Sequence, residues 1–107
     1  AAVNLLEGDN PMEGIFMLRD IVLKNPKNTQ ALYYLGDLSL QTGQYENAIK
    51  RFNQVLFVDS SDKRAYLQLG ISYYGLEDYE KANSFFQIIQ DLNDSTLIKE
   101  LNIFLMN

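Results

Sequence analysis

The side chains best suited to acid–base chemistry in this chain are carboxylates. Glu77, Asp78 and Glu80 fall within four positions, and Asp59 and Asp62 within four more. Paired carboxylates can divide the roles of acid and base in hydrolysis. Their setting points elsewhere: they stand at helix breaks and in first helical turns, where acids cap free amides and favour the helix dipole. The chain has no histidine and no cysteine. That removes Cys/His zinc sites, thiol nucleophiles, histidine general bases and Ser-His-Asp triads. No acidic calcium loop, Gly-rich phosphate loop or Gly-x-Ser-x-Gly elbow is present. Asn93-Asp94-Ser95 matches the glycosylation acceptor triplet, a pattern common by chance. The chain therefore reads as non-enzymatic, with no catalytic residue, no metal and no cofactor.

Tyrosine is abundant at seven residues, including Tyr33-Tyr34 and Tyr73-Tyr74. Aromatic rings among basic residues can stack bases of single-stranded nucleic acid. Here Lys50-Arg51 and Lys63-Arg64 are the adjacent basic pairs, and nine basic against fourteen acidic residues give a net charge of −5. That balance excludes nucleic acid as the expected partner. No apolar stretch reaches the roughly 18 residues of a membrane span.

The elements that hold these residues follow from an internal repeat. Laying 29–62 over 63–96 without a gap pairs Ala31/Ala65, Leu35/Leu69, Gly36/Gly70, Tyr45/Tyr79, Glu46/Glu80, Ala48/Ala82, Phe52/Phe86 and Ser61/Ser95. A fixed period of this length marks a repeat architecture. The same shift backwards pairs Gly14 with Ala48, Leu18 with Phe52 and Ile21 with Val55, so an incomplete copy precedes the two. Within each copy the apolar spacing is helical: Tyr45, Ala48, Ile49, Phe52, Val55 and Leu56 recur at i, i+3, i+4 and i+7. Short turns at Thr42-Gly43-Gln44 and Gly75-Leu76-Glu77-Asp78 demand antiparallel neighbours. Asn10-Pro11-Met12-Glu13 reads as a capped helix start, and Asn25-Pro26 as a stop. The spacing predicts seven helices: 1–7, 11–24, 29–42, 45–58, 63–75, 79–92 and 96–106.

A helix–turn–helix of 34 residues reading Leu32-x2-Leu35-Gly36, Gly43-x-Tyr45 and Ala48-x3-Phe52, then Tyr66-x2-Leu69-Gly70-x2-Tyr73, Tyr79 and Ala82-x3-Phe86, resembles the tetratricopeptide repeat. Gly14-x3-Leu18 and Pro26 extend the likeness. The departures are Ser39 where the pattern has Tyr, Ser60 and Asp94 where it has Pro, and Val55 and Ile89 in place of Ala. The resemblance implies an all-α fold, a right-handed superhelical stack of antiparallel helix pairs. It divides 1–107, taken as a single domain, into a partial repeat (1–28), two full repeats (29–62 and 63–96) and a terminal or capping helix (97–107). The motif residues themselves are core, and the wrong ones to nominate as a site.

The resemblance also implies a concave surface lined by first helices that binds an extended or helical segment of a partner protein. The residues expected to face it are Gln30, Tyr33, Tyr34, Asp37 and Gln41 on one helix, and Arg64, Leu67, Gln68, Ile71 and Tyr74 on the next. Of these, Tyr33, Asp37, Gln41, Arg64, Leu67, Gln68, Ile71 and Tyr74 are the partner-binding set. Leu67, Ile71 and Tyr74 form a second apolar stripe, which needs either a partner or the helix at 96–106 as cover. Substituting Leu67 or Ile71 by Glu is expected to abolish capture without unfolding. Family members that clamp a C-terminal carboxylate use Lys, Arg and Asn; the corresponding slots here hold Val3, Tyr34, Arg64 and Gln68, and Arg64 alone fits. The terminal stretch 96–106 is apolar on more than one side, and residues 1–7 resemble the tail of a helix. The alternative reading is thus self-association or scaffolding through apolar ends, with the chain a window on a longer array.

Overall fold

The computed structural model describes residues 11–106, with side chains from Phe16 onward. The expected helix at 1–7, the Asn10/Glu13 cap and the Val3 slot lie outside those residues. Six helices follow: α1 (Pro11–Lys24), α2 (Thr29–Gln41), α3 (Tyr45–Val58), α4 (Lys63–Gly75), α5 (Tyr79–Asp91) and α6 (Ser95–Met106). No strand occurs among the described residues. The fold is all-helical, a stack of antiparallel pairs of the tetratricopeptide type.

Helices α2, α4, α5 and α6 start where a short acceptor side chain takes an otherwise free amide, whereas Gln44 before α3 makes no such side-chain bond. Asn28 accepts from Ala31 N at 3.1 Å, Asp62 from Ala65 N at 3.2 Å, Asp78 from Lys81 N at 3.2 Å and Asp94 from Leu97 N at 3.2 Å. The caps at Asn28 and Asp62 are one period apart, as are the starts of α3 and α5. The last helix breaks the period. It begins at Ser95, two residues ahead of the boundary expected from the repeat, because Asn93 adopts a left-handed φ of 56° and turns the chain within three residues. The same device makes the turns inside each pair, with Gly43 at φ 76° and Glu77 at φ 61°. Gly43 adopts this region freely, whereas Glu77 bears the cost of its Cβ.

Close approach inside each pair depends on a missing side chain. A Cβ on Gly36 would meet the Phe52 ring at 2.7 Å, and one on Gly70 would meet Phe86 at 2.5 Å and Phe85 at 3.2 Å. Phe52 and Phe86 are consequently buried at 0% and 4% exposure. Leu18, Val22, Leu32, Leu35 and Val55 join α1 to the first pair, and Ala48, Phe52 and Leu69 join α3 to α4. Leu67, Ala82, Phe86, Ile89, Leu97 and Leu101 join α4, α5 and α6.

The packing also sets the curvature. First helices touch one another, α2 against α4 and α4 against α6, whereas the second helices α1, α3 and α5 make no backbone-level contact with each other. The surface formed by α2, α4 and α6 is therefore the inner one, and the outer surface is splayed.

Candidate functional site: the inner surface

Two clefts lie on this inner surface. The first sits at the N-terminal ends of α2 and α4 and is lined by Thr29, Gln30, Tyr33, Tyr34, Asp62 and Arg64. Beside it, two polar ties cross between helices. Gln68 Nε2 donates to Asp37 Oδ1 at 2.8 Å, joining α4 to α2. Arg64 Nη1 donates to Glu100 Oε2 at 2.6 Å, joining α4 to α6. Both members of the Arg64–Glu100 pair are more than 40% exposed, so the pair adds little to stability. It fixes where the guanidinium stands.

Burial pushes the Asp37 carboxyl above its ordinary pKa, against the opposing pull of the Gln68 hydrogen bond and the Arg64 charge. Glu100, hydrogen-bonded to Arg64, raises the guanidinium's pKa. Tyr33 lays its ring edge-on against Phe52 with centroids 5.2 Å apart. Its hydroxyl is buried without a hydrogen-bond partner. Burial, and then the Asp37 charge, hold this phenol protonated far above its usual range. A buried, unpartnered donor is costly to the fold.

The second cleft, at the C-terminal ends of the same helices, is apolar. Leu40, Tyr45, Ile71, Tyr74, Gly75, Phe104 and Leu105 line a space of ≈ 370 Å³. Tyr74 is its aromatic corner: edge-on to Phe104 at 5.2 Å and to Tyr79 at 5.0 Å, and 41% exposed. Gly75 leaves room for the Tyr45 ring, which a Cβ there would strike.

The structure thus brings Tyr33 and Arg64 to one cleft, Ile71 and Tyr74 to the other, and places the Asp37–Gln68 tie between helices α2 and α4. Gln41 is exposed at the end of α2, apart from both. Leu67 must be corrected. It is 2% exposed and packs with Phe86, Ile89, Leu97 and Leu101. The reason is that α4 is flanked by α5 and α6 and spends two apolar stripes on them. Leu67 is core, and Leu67→Glu would bury an unpaired charge rather than probe a surface. Phe104 and Leu105 were not in the expected binding set; the excess of apolar residues in 96–106 was the signal for them.

Comparison with known proteins agrees with this architecture. Residues 36–77 match a family model described as a TPR repeat. Residues 1–54 and 64–94 match two models described as tetratricopeptide repeat. A TPR repeat-containing protein of Methanocaldococcus jannaschii is 32% identical over 75 residues, covering 68% of this chain. The chain spans 12% of that relative's length. The chain belongs to the tetratricopeptide repeat family. The family's repeats generally mediate protein–protein interaction or scaffolding and are typically not enzymes. No helix among the described residues is long and apolar enough to cross a membrane.

Proposed function

We propose that this chain is a non-enzymatic module that binds an extended segment of a partner protein along the inner surface of α2, α4 and α6. The observation that carries this reading is the pairing of two unlike clefts on one surface. One offers the exposed Arg64 guanidinium beside Tyr33 and Tyr34; the other offers Ile71, Tyr74, Phe104 and Leu105. An apolar anchor in the second cleft and a hydrogen-bond acceptor at the first would give both affinity and direction. A displayed peptide library tests it. Selected peptides should lose about tenfold or more in affinity with Tyr74→Ala, a loss on the scale of an aromatic hot spot. Ile71→Glu should lose binding as well, but Ile71 is half-buried, so the exposed Tyr74 is the cleaner probe. Peptides indifferent to both substitutions would overturn the assignment.

The second reading is self-association through α6. Ile103, Leu105 and Met106 are 55%, 50% and 84% exposed. Leu97 and Leu101 are already used inside the chain, so the contact would run through the former three. Sedimentation equilibrium should then give a concentration-dependent mass that Ile103→Lys removes. A constant monomer mass up to millimolar concentration would dismiss it.

A further inference from the structure

Each repeat serves as a control for the other. The 34-residue shift sets Ser39 opposite Tyr73, Asn47 opposite Lys81 and Arg51 opposite Phe85. In the second unit these residues fill the outer groove. Tyr73 and Phe85 stack with centroids 5.6 Å apart and planes at 7°, both against the cluster of Ala48, Phe52 and Leu69. The Lys81 ammonium caps the stack, 5.4 Å from the Tyr73 ring centre. In the first unit a small hydroxyl and a guanidinium replace the two rings, and the groove between α1 and α3 stays open. It is a cleft of ≈ 160 Å³ lined by Arg19 from α1, Ser39 and Thr42 from the end of α2, and Asn47, Lys50 and Arg51 from α3.

Three of the nine basic residues of an acidic chain therefore converge on one cleft whose lining holds no carboxylate. None of the three takes part in an ion pair among the described residues. The Arg51 guanidinium donates to Gln54 Oε1 at 3.3 Å. Burial, and then the Arg19 charge, lower the Arg51 pKa. The Ser39 and Thr42 hydroxyls turn back to the carbonyls of Leu35 and Leu38 at 2.9 and 3.0 Å, which leaves recognition to the cations.

We propose that this outer cleft is a phosphoryl-binding site, taking a phosphate dianion, esterified or free, between Arg19, Lys50 and Arg51. Two guanidinium forks and an ammonium match a doubly charged group with three acceptor oxygens better than a single carboxylate. The source is a phosphorylated side chain of a partner protein or free phosphate. The cleft opens on the face opposite the inner surface, so it stands or falls independently of the peptide groove.

Titration of the isotope-labelled chain with inorganic phosphate, followed by two-dimensional amide and arginine Nε–Hε spectra, tests this. Signals of Arg19, Lys50 and Arg51 should shift and saturate. Arg51→Gln should weaken binding about tenfold, the scale of one charge-assisted hydrogen bond. The double variant Ser39→Tyr, Arg51→Phe gives the first unit the second unit's filling; it should melt no lower than the parent and bind no phosphate. A phosphoserine peptide that binds tighter than inorganic phosphate identifies a protein source, and equal affinity identifies the free ion. Shifts that do not saturate, shifts shared equally by Lys24, Lys63 and Lys81, or a glutamate peptide equal to the phosphoserine one would overturn the assignment. So would a folded double variant that still binds.

Discussion

Asp37 shows how the inner surface trades stability for a polar group. Its carboxylate is held by Gln68 yet burial raises its pKa, so the folded chain disfavours the charged form. The sign follows. The penalty is fully present above the folded-state pKa and is relieved as pH falls through that value toward the ordinary 3.8. Asp37→Asn keeps an oxygen for Gln68 and removes the charge. It should be more stable than the parent at pH 7, and the difference should vanish below about pH 4. Urea denaturation across that range reads it; a variant less stable at pH 7 would mean that attraction to Arg64 outweighs burial. Nothing in the sequence around Asp37 announced this. Its partner is 31 positions away, and the sequence placed Asp37 only among the residues expected on the concave surface.

At the scale of the helix, the repeat made all six described helices legible to within a residue, because period, caps and apolar spacing agree. Helix α6 starts one residue before the predicted 96, where a left-handed Asn93 shortens the last turn. Leu67 was misplaced because a stripe shows that a face is apolar, not which neighbour covers it. The consequence is measurable. Leu67→Ala should cost about 2–5 kcal/mol, as for a buried leucine, whereas Tyr74→Ala, half in solvent, should cost less. Leu101→Ala should resemble Leu67→Ala and couple to it, since both lie in one cluster. Equal, additive losses across the three substitutions would show that α6 does not seal α4.

For the whole molecule, each helix pair touches its neighbours along a line, so stability is a sum of local terms rather than one shared core. Helix α4 packs against α2, α3, α5 and α6, while α1 packs against α2 alone among the described residues. Amide hydrogen exchange should accordingly be slowest in α4 and fastest in α1, with α6 intermediate. Uniform protection from α1 to α6 would instead indicate one cooperative unit. The family and its inner surface were readable at this scale because the motif residues are geometric. The outer cleft was not: Lys50-Arg51 appeared as one basic pair, and Arg19 stands more than thirty positions before it. The available signal was the departure at Ser39, which becomes informative once Arg51 is set against Phe85.

The splay of the second helices has a mechanical meaning. With α2, α4 and α6 in contact and α1, α3 and α5 apart, the chain is a leaf hinge whose pivot runs along the inner line. Bending changes the width of the outer gaps far more than the inner spacing. The gap behind α4 is wedged by the Tyr73–Phe85 stack, and the one behind α2 is not. Compliance is therefore uneven along the array, and whatever closes the gap between α1 and α3 sets the curvature that the opposite face presents.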